Sequence, residues 1–158
     1  MSEHAQKAYD AMSAQIGGDP VAGDWFELDQ DRINDFADAT LDHQFIHIDV
    51  DRAKAETPFG GTIAHGFLTL SMLVHLSTSI PSDLPPMDGV VMGINYGMNK
   101  VRFINPVPAG SRIRATSVVS NVELKGSAVD MTRTMTVEIE GQVKPALIAE
   151  WIGRTVFA

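Results

Sequence analysis

The feature that most constrains the fold is a long uncharged stretch in the middle of the chain. Between Thr57 and Ser82 there is no aspartate, glutamate, lysine or arginine. Within this stretch, residues 64–79 place apolar side chains nearly all round a helix: Ala64, Phe67, Leu68, Leu70, Met72, Leu73, Val74 and Leu76. A helix that is apolar on every side is a buried helix, and about 15 residues at 1.5 Å each would cross a sheet. The sequence therefore predicts one long buried helix.

The second half of the chain changes to the period of a β-strand. Residues 129–140 alternate apolar and polar side chains, and only Arg133 interrupts the apolar face. This pattern is typical of an antiparallel strand with one buried and one solvated side. Residues 111–124 and 145–157 also read as strands, and 90–104 supplies one or two more. A buried helix followed by a run of antiparallel strands predicts an α+β architecture.

Shorter elements are predicted before the buried helix. They are a helix over 3–15, a strand over 24–28, a helix from the N-cap Asp29 to about Ala39, and a short helix capped by Asp49. A chain of 158 residues has the usual size of one domain. We expect a single domain over 1–158, with 1–20 as an N-terminal helical extension.

Composition excludes several classes of function. The net charge is −8, which argues against general nucleic-acid binding, and the absence of cysteine excludes disulfides, thiolate catalysis and cysteine-based zinc sites. The first residues lack the pattern of a secretory signal, and no apolar run is long enough to span a membrane. We expect a cytoplasmic protein that has no membrane or nucleic-acid partner.

Residues 41–48, "LDHQFIHI", hold the first group of candidate site residues. His43 and His47 have the spacing of a metal-ligand pair, with Asp42 or His65 as a third ligand, but the link between them reads as extended or irregular rather than helical. Alternatively, a loop turns Asp42 and His47 toward one water molecule for acid–base chemistry. Ordinary loop polarity is the third interpretation. The residues alone leave all three open.

Gly66 is the second candidate, because it stands at the start of the predicted buried helix. The first N–H groups of a helix lack intrahelical partners and carry the positive end of the dipole, so they can polarise a carbonyl. A glycine there allows a ligand oxygen to approach, or it simply allows tight packing. His65, beside it, is typical of a packed or capping histidine.

A resemblance narrows these alternatives. The segments "ATLDHQFIHIDVDRAKAETPFGGTIAHGFLTLSML" and "INYGMNKVRFINPVPAGSRIR" resemble the MaoC-like dehydratase family, in particular its nodulation-protein-N-like branch, which includes (R)-specific enoyl-CoA hydratases. The resemblance covers the chain from about residue 25 to its C-terminus. It implies a hot-dog fold, in which a long helix is wrapped by an antiparallel sheet, and a homodimer.

The resemblance also implies a reaction and its residues. Water would add to a trans-2-enoyl-CoA, or the corresponding acyl-carrier-protein thioester, to give the (R)-3-hydroxyacyl product without metal or cofactor. The implied catalytic pair is Asp42 and His47, and the implied substrate-binding residues are Gly66, His65, Ile63, Phe67 and Asn95. An acidic chain would still need cations for the CoA phosphates; Lys100, Arg102, Arg112 and Arg114 are the candidates, and the alternative is that several of them are solvated strand residues.

One position departs from the family pattern. The family usually has glycine immediately before the catalytic aspartate, whereas this chain has Leu41. Because leucine does not readily adopt a positive φ, we expect a shifted loop or a narrowed pocket. Two rival functions remain at this stage, a thioesterase on the same fold and a non-catalytic acyl-thioester-binding protein.

Overall fold

An antiparallel sheet of six strands forms the centre of the protein. The computed structural model describes residues 2–158, so Met1 of the predicted N-terminal extension lies outside the described residues. The strands are β1 (Val21–Ala22), β2 (Phe26–Leu28), β3 (Val90–Phe103), β4 (Ser111–Lys125), β5 (Ala128–Ile139) and β6 (Leu147–Phe157). Their order is β1-β4-β5-β6-β3, and β2 also pairs with β4. The predicted α+β class is confirmed.

Six helices accompany the sheet. They are α1 (Glu3–Ser13), α2 (Gln30–Thr40), α3 (Phe45–Ile48), α4 (Val50–Glu56), α5 (Gly66–Ser71) and α6 (Leu73–Ser77). The predicted N-caps are confirmed, because the carboxylates of Asp29 and Asp49 accept hydrogen bonds from the backbone N–H groups of Arg32 and Arg52. Each cap satisfies an N–H group that has no partner within its helix.

The core consists of two apolar clusters on the sheet. In the larger cluster, Leu73 and Leu76 of α6 pack with Met135, Val137 and other strand residues. In the smaller cluster, the predicted N-terminal helix contributes its buried side chains, and these meet residues of β4, β5 and β6. Two separate helical layers therefore cover different parts of the sheet.

The single long buried helix predicted over 64–79 is wrong in three respects. It is divided into α5 and α6 at Met72, which has φ −66° and ψ −14°, and it begins only at Gly66 because His65 is still extended. Phe67 and Val74 are 67% and 49% exposed, so the helix is not covered on every side within one chain. These two residues are seven apart and share one face.

The polar face predicted for 129–140 is also only partly solvated. Asp130 and Thr132 are buried, and the Asp130 carboxylate accepts two hydrogen bonds of 2.6 Å from the Arg154 guanidinium. The pairing satisfies a buried carboxylate that would otherwise be costly. Alternation alone did not reveal that this part of the strand is covered on both sides.

The two edges of the sheet differ. The outer edge of β4 is covered by β1 and β2, whereas β3 pairs only with β6 within residues 2–158. Most residues of β3 are exposed, and several of them are large and apolar: Val90, Val91, Met92, Ile94, Tyr96 and Met98.

None of the helices between residues 2 and 158 is long and apolar enough to cross a membrane.

Candidate active site

A strained turn presents Asp42. Leu41 follows α2 with φ 61° and ψ 22°, and it is the one non-glycine residue with positive φ in the described chain. The left-handed conformation costs a residue with a Cβ roughly 1–2 kcal/mol. We expected leucine to avoid a positive φ and therefore to shift the loop or narrow the pocket. The premise is wrong, because Leu41 adopts the left-handed conformation. Its side chain is 80% exposed.

The segment after Asp42 forms a helical turn rather than the extended or irregular link that we predicted. The N–H of Asp49 donates to the carbonyl of Phe45 at 3.0 Å, which closes α3. The turn separates the two histidines considered for a metal site. His43 lies before α3 and its Nε2 is 2.8 Å from the Asp38 carboxylate, while His47 is buried on the inner side.

His47 is held by a backbone carbonyl. Its Nδ1 lies 2.7 Å from the carbonyl oxygen of Ile63, so Nδ1 donates and Nε2 of the neutral ring is left as an acceptor. Burial lowers the pKa of His47 below its ordinary value, although the hydrogen bond to Ile63 opposes the shift. Desolvation disfavours the charged imidazolium. The ring is therefore neutral at pH 7.

His65 joins the loop of Asp42 to the ring of His47. Its ring stacks on that of His47 with centroids 3.8 Å apart, and its Nε2 donates to the backbone carbonyl of Asp42 at 2.9 Å. His65 is only 2% exposed, and Phe36 packs against its other side. The same Nε2 lies 4.0 Å from the carboxylate of Asp42. A packed histidine was predicted here, and its contacts hold both members of the Asp–His pair.

These contacts bring three polar side chains to one point. One carboxylate oxygen of Asp42 and one ring nitrogen from each of His47 and His65 all lie within 4.8 Å of one another. Such a group has the separation needed to hold one water molecule, and it also has the separation of a metal-ligand set. His43 does not belong to it.

A cavity of about 390 Å³ opens beside this group. Its wall includes His47, Ile63, Gly66 and Phe67 from the predicted residues, and His65 is buried directly behind His47. The remaining wall is mostly apolar, which suits an acyl chain. Within residues 2–158 the N–H of Gly66 donates no hydrogen bond to a backbone or side-chain acceptor.

Gly66 also packs closely against the opposite wall. A Cβ added there would lie 3.0 Å from Cδ1 of Phe103, so the ring would have to shift by a few tenths of an ångström. Phe103 is 50% exposed, which leaves its ring free to do so. Both interpretations of Gly66, close packing and an available N–H, therefore have a structural basis.

The sequence missed part of the wall and included one distant residue. Thr69, Phe103 and Asn105 line the cavity, although nothing in the motif singled them out. Asn95 lies on β3 opposite Gly153 and does not line this cavity within one chain. Its predicted role in substrate binding stays a prediction.

The four candidate phosphate-binding cations are not equivalent. Lys100, Arg112 and Arg114 form ion pairs with Glu150, Glu140 and Glu138 at 3.1, 2.9 and 2.6 Å. The guanidinium of Arg102 instead donates to the backbone carbonyl of Val101 and makes no ion pair within residues 2–158. Arg102 immediately precedes Phe103 of the cavity wall.

Comparison with known proteins places these features in a family. The model of the MaoC-like domain matches residues 11–140. Nodulation protein N of Rhizobium meliloti (strain 1021) is 48% identical over 147 residues, which cover 92% of this chain and 89% of that protein. 3-Hydroxyacyl-thioester dehydratase Z of Mycobacterium tuberculosis (strain CDC 1551 / Oshkosh) is 49% identical over 146 residues, covering 92% and 93%.

A solved structure supports the same fold. The (R)-hydratase from A. caviae involved in PHA biosynthesis has a TM-score of 0.67 at 23% identity and covers 86% of this chain and 93% of its own. Similarity at this level of identity concerns the fold, and it agrees with the predicted hot-dog architecture. Together with the family match over most of the sequence, it shows that the chain belongs to the MaoC-like dehydratase family.

Proposed function

We propose that the protein is a hydro-lyase that adds water reversibly to trans-2-enoyl thioesters and gives (R)-3-hydroxyacyl thioesters. The observation that carries the proposal is the convergence of Asp42, His47 and His65 within 4.8 Å beside an apolar cavity. The dehydratase name of a relative that is 49% identical supports the reaction class. The acyl group, the (R) configuration and the residue roles are part of the proposal.

The acid–base pair acts on a single water molecule. Neutral His47 presents Nε2 as a proton acceptor because Nδ1 is committed to Ile63, and the carboxylate of Asp42 provides a second acceptor. As the water O–H bond breaks, its oxygen bonds to the β-carbon of the enoyl thioester. The proton taken from water is returned to the α-carbon, so the net change is addition of one water.

His65 is a positioning residue in this scheme. Its hydrogen bond to the backbone of Asp42 and its stacking on His47 fix both groups without placing His65 at the cavity wall. Acid–base catalysis requires that both groups are within hydrogen-bond reach of the same water. The strained turn at Leu41 contributes to the same geometry, because it directs the chain from α2 toward Asp42.

The N–H of Gly66 is the proposed partner of the thioester oxygen. Addition at the β-carbon moves negative charge onto this oxygen, and an N–H fixed in place stabilises that charge without reorganising solvent. Gly66 begins α5, lines the cavity and has no other acceptor within the described residues. The acyl chain lies in the apolar part of the same cavity.

A CoA or acyl-carrier-protein substrate carries phosphate outside the cavity. Arg102 is the proposed contact, because its charge is not neutralised by a carboxylate and it adjoins Phe103 of the wall. A guanidinium binds phosphate with charge-assisted hydrogen bonds. Lys100, Arg112 and Arg114 would first have to give up their ion pairs.

A homodimer completes the proposal. The free edge of β3 offers unpaired backbone groups flanked by apolar side chains, and exposed edges of this kind are normally paired or covered. The exposed helix face with Phe67 and Val74 needs cover as well. Dimerisation through β3 would bury the edge, place the cavity near the subunit boundary, and give Asn95 a way to reach a partner's substrate.

Light scattering tests the dimer. We expect twice the chain mass at micromolar concentration, and a shift toward monomer in Met92→Lys, which puts a charge on the β3 edge. Val143→Lys is the matched control, because Val143 is fully exposed in the turn between β5 and β6. A wild-type monomer, or a Met92→Lys protein that remains dimeric, contradicts this part of the proposal.

The activity is tested by following two products of one reaction. Crotonyl-CoA loses its enoyl-thioester absorbance on hydration, whereas thioester hydrolysis releases a free thiol. We expect loss of absorbance without thiol release, and no loss of rate when EDTA is present. Thiol release identifies a thioesterase, the absence of either signal with a range of acyl thioesters identifies a binding protein, and inhibition by EDTA identifies a metal-dependent site.

A further inference from the structure

Arg133 is a cation on the apolar side of β5. It lies between Met131 and Met135 on the strand, and its guanidinium is 4.6 Å from the ring centroid of Trp151, opposite it on β6. Its Nε atom has no contact with solvent and makes no hydrogen bond. The sequence had singled out Arg133 as the interruption of an apolar face, and the proposed hydration does not use it.

The charge of Arg133 has no counterion within residues 2–158. Arg112, Arg114 and Arg154 each pair with a carboxylate at 2.9 Å or less, but no carboxylate lies within 4.0 Å of Arg133. Burial lowers the pKa of Arg133. Arg133 is half-buried, and a cation partly withdrawn from water without a counterion is destabilising; the aromatic ring beneath it offsets only part of this cost.

Arg133 lines a second cavity, with a volume of about 470 Å³. Ile80, Leu84, Val119 and Met131 supply apolar wall, and Ser77 and Ser117 supply hydroxyl groups. Asp19 and Asp83 also line the cavity, but both are exposed side chains and neither pairs with Arg133. This cavity and the one beside His47 have no lining residue in common.

We propose that this second cavity binds a small organic carboxylate with an apolar body. The carboxylate would neutralise Arg133 through charge-assisted hydrogen bonds, with the hydroxyl of Ser117 as a further donor, and the apolar body would cover Leu84, Val119 and Ile80. A cavity of this size suits a small ligand. The ligand site is independent of the hydration site, since its wall and its charge belong to other residues.

Octanoate and octanol are the matched probes, because they share an apolar chain and differ in the anionic head. Binding is followed by calorimetry with the wild-type protein and by the fluorescence of Trp151 in Trp25→Phe, which retains one of the two tryptophans. We expect saturable binding of octanoate, with octanol about 10–100-fold weaker, the range for loss of a hydrogen-bonded charge pair. The Trp151 signal should change because its ring lies against the guanidinium.

Arg133→Met keeps an unbranched apolar stem in place of the arginine methylenes and removes the guanidinium, so it should lower octanoate affinity about 10–100-fold. Arg112→Met is the control, since Arg112 is exposed and lies outside the cavity; it should bind octanoate like wild type. If Arg133→Met fails to fold, Arg133→Lys takes its place and should retain a preference for octanoate over octanol.

Three outcomes would overturn the proposal. The first is equal affinity for octanol and octanoate, which would mean that only apolar surface is recognised. The second is wild-type octanoate affinity in folded Arg133→Met, which would place the ligand elsewhere, including the cavity beside His47. The third is the absence of saturable octanoate binding up to about 10 mM. A dissociation constant above this concentration corresponds to a binding free energy too small for a specific site.

Discussion

Two overlapping Asp–His pairs in this protein have the same spacing along the sequence. Asp38 and His43 are five residues apart, as are Asp42 and His47. The first pair forms a 2.8 Å contact whose side chains are 78% and 46% exposed. In the second, His47 is 7% exposed, is held by Ile63 and is stacked on His65 beside a cavity.

The comparison shows that spacing alone does not define a site. An exposed pair is screened by water and contributes about 0–1 kcal/mol to stability. In the second pair His47 is desolvated beside an apolar cavity, while the side chain of Asp42 is 53% exposed, so the buried imidazole can act on a water that both groups hold. What distinguishes the second pair is its setting, namely the turn at Leu41, the short helix α3 and the stacked ring of His65.

The largest expected effect comes from replacing Asp42 or His47. Asp42→Asn and His47→Asn should each lower kcat for crotonyl-CoA hydration by about 10²–10⁴-fold, because each removes a general acid–base group. Asp38→Asn and His43→Asn are the controls from the exposed pair and should keep the wild-type rate. Circular dichroism establishes that all four proteins are folded. An equal loss of kcat in the Asp38 and His43 variants would contradict the distinction between the two pairs.

Gly66 tests whether the setting of Asp42 and His47 includes an N–H donor for the thioester oxygen. Gly66→Ala should lower kcat by about 10²–10³-fold, because a methyl group beside the N–H crowds the enolate oxygen. Affinity for butyryl-CoA, which develops no such charge, should fall much less. Phe103→Leu in the same chain relieves the 3.0 Å contact of the new Cβ. Full recovery in that double variant would show that packing alone was responsible.

The pH dependence should come from the buried histidine. Because the folded-state pKa of His47 is lowered, the folded protein binds fewer protons than the unfolded chain as the pH falls below 6.5, the ordinary value. The contribution to the free energy of unfolding is therefore present above pH 6.5 and is lost as the pH falls through the folded-state pKa. Urea denaturation should show this loss in wild type.

The control for this pH effect is His47→Gln, which removes the titrating group. Its free energy of unfolding should fall less than that of wild type over the same acidic range. The acid limb of kcat in wild type should also lie below pH 6.5, because His47 has to be neutral to accept a proton. A wild-type acid limb above pH 6.5 would contradict the assignment.

The smallest effect concerns the left-handed turn at Leu41. Leu41→Gly should raise the free energy of unfolding by about 0.5–1 kcal/mol, since glycine removes the left-handed strain but loses more backbone entropy on folding. Ala39→Gly, an exposed position inside α2, should lower it by about 0.5–1 kcal/mol. Thermal or urea denaturation measures both. A loss in Leu41→Gly equal to that in Ala39→Gly would mean that the turn is unstrained.

Much of the fold could be predicted from local patterns. The strands of the second half, the caps at Asp29 and Asp49, and the apolar character of the central helix follow from side-chain period and capping chemistry. The break at Met72 could not be predicted, because no glycine or proline marks it. The buried side of Asp130 depends on Arg154, which lies on another strand.

The candidate site was predicted from the family resemblance and not from the residues alone. Asp42 and His47 could not be separated from their neighbours by spacing, and the positive φ of Leu41 runs against its residue type. Phe103 ends β3 and Asn105 follows it, so both reach the cavity only through the tertiary fold. The contact between His65 and Asp42 spans 23 residues, so no local pattern encodes it.

The central claim is that Asp42 and His47 act together on one water, and a double-variant cycle tests it most directly. The rate of crotonyl-CoA hydration is measured for wild type, Asp42→Asn, His47→Asn and the double variant. If the two groups form a unit, the double variant should be about as slow as the slower single, far short of the product of the two losses. A double loss equal to that product, or a wild-type rate in either single, would contradict the account.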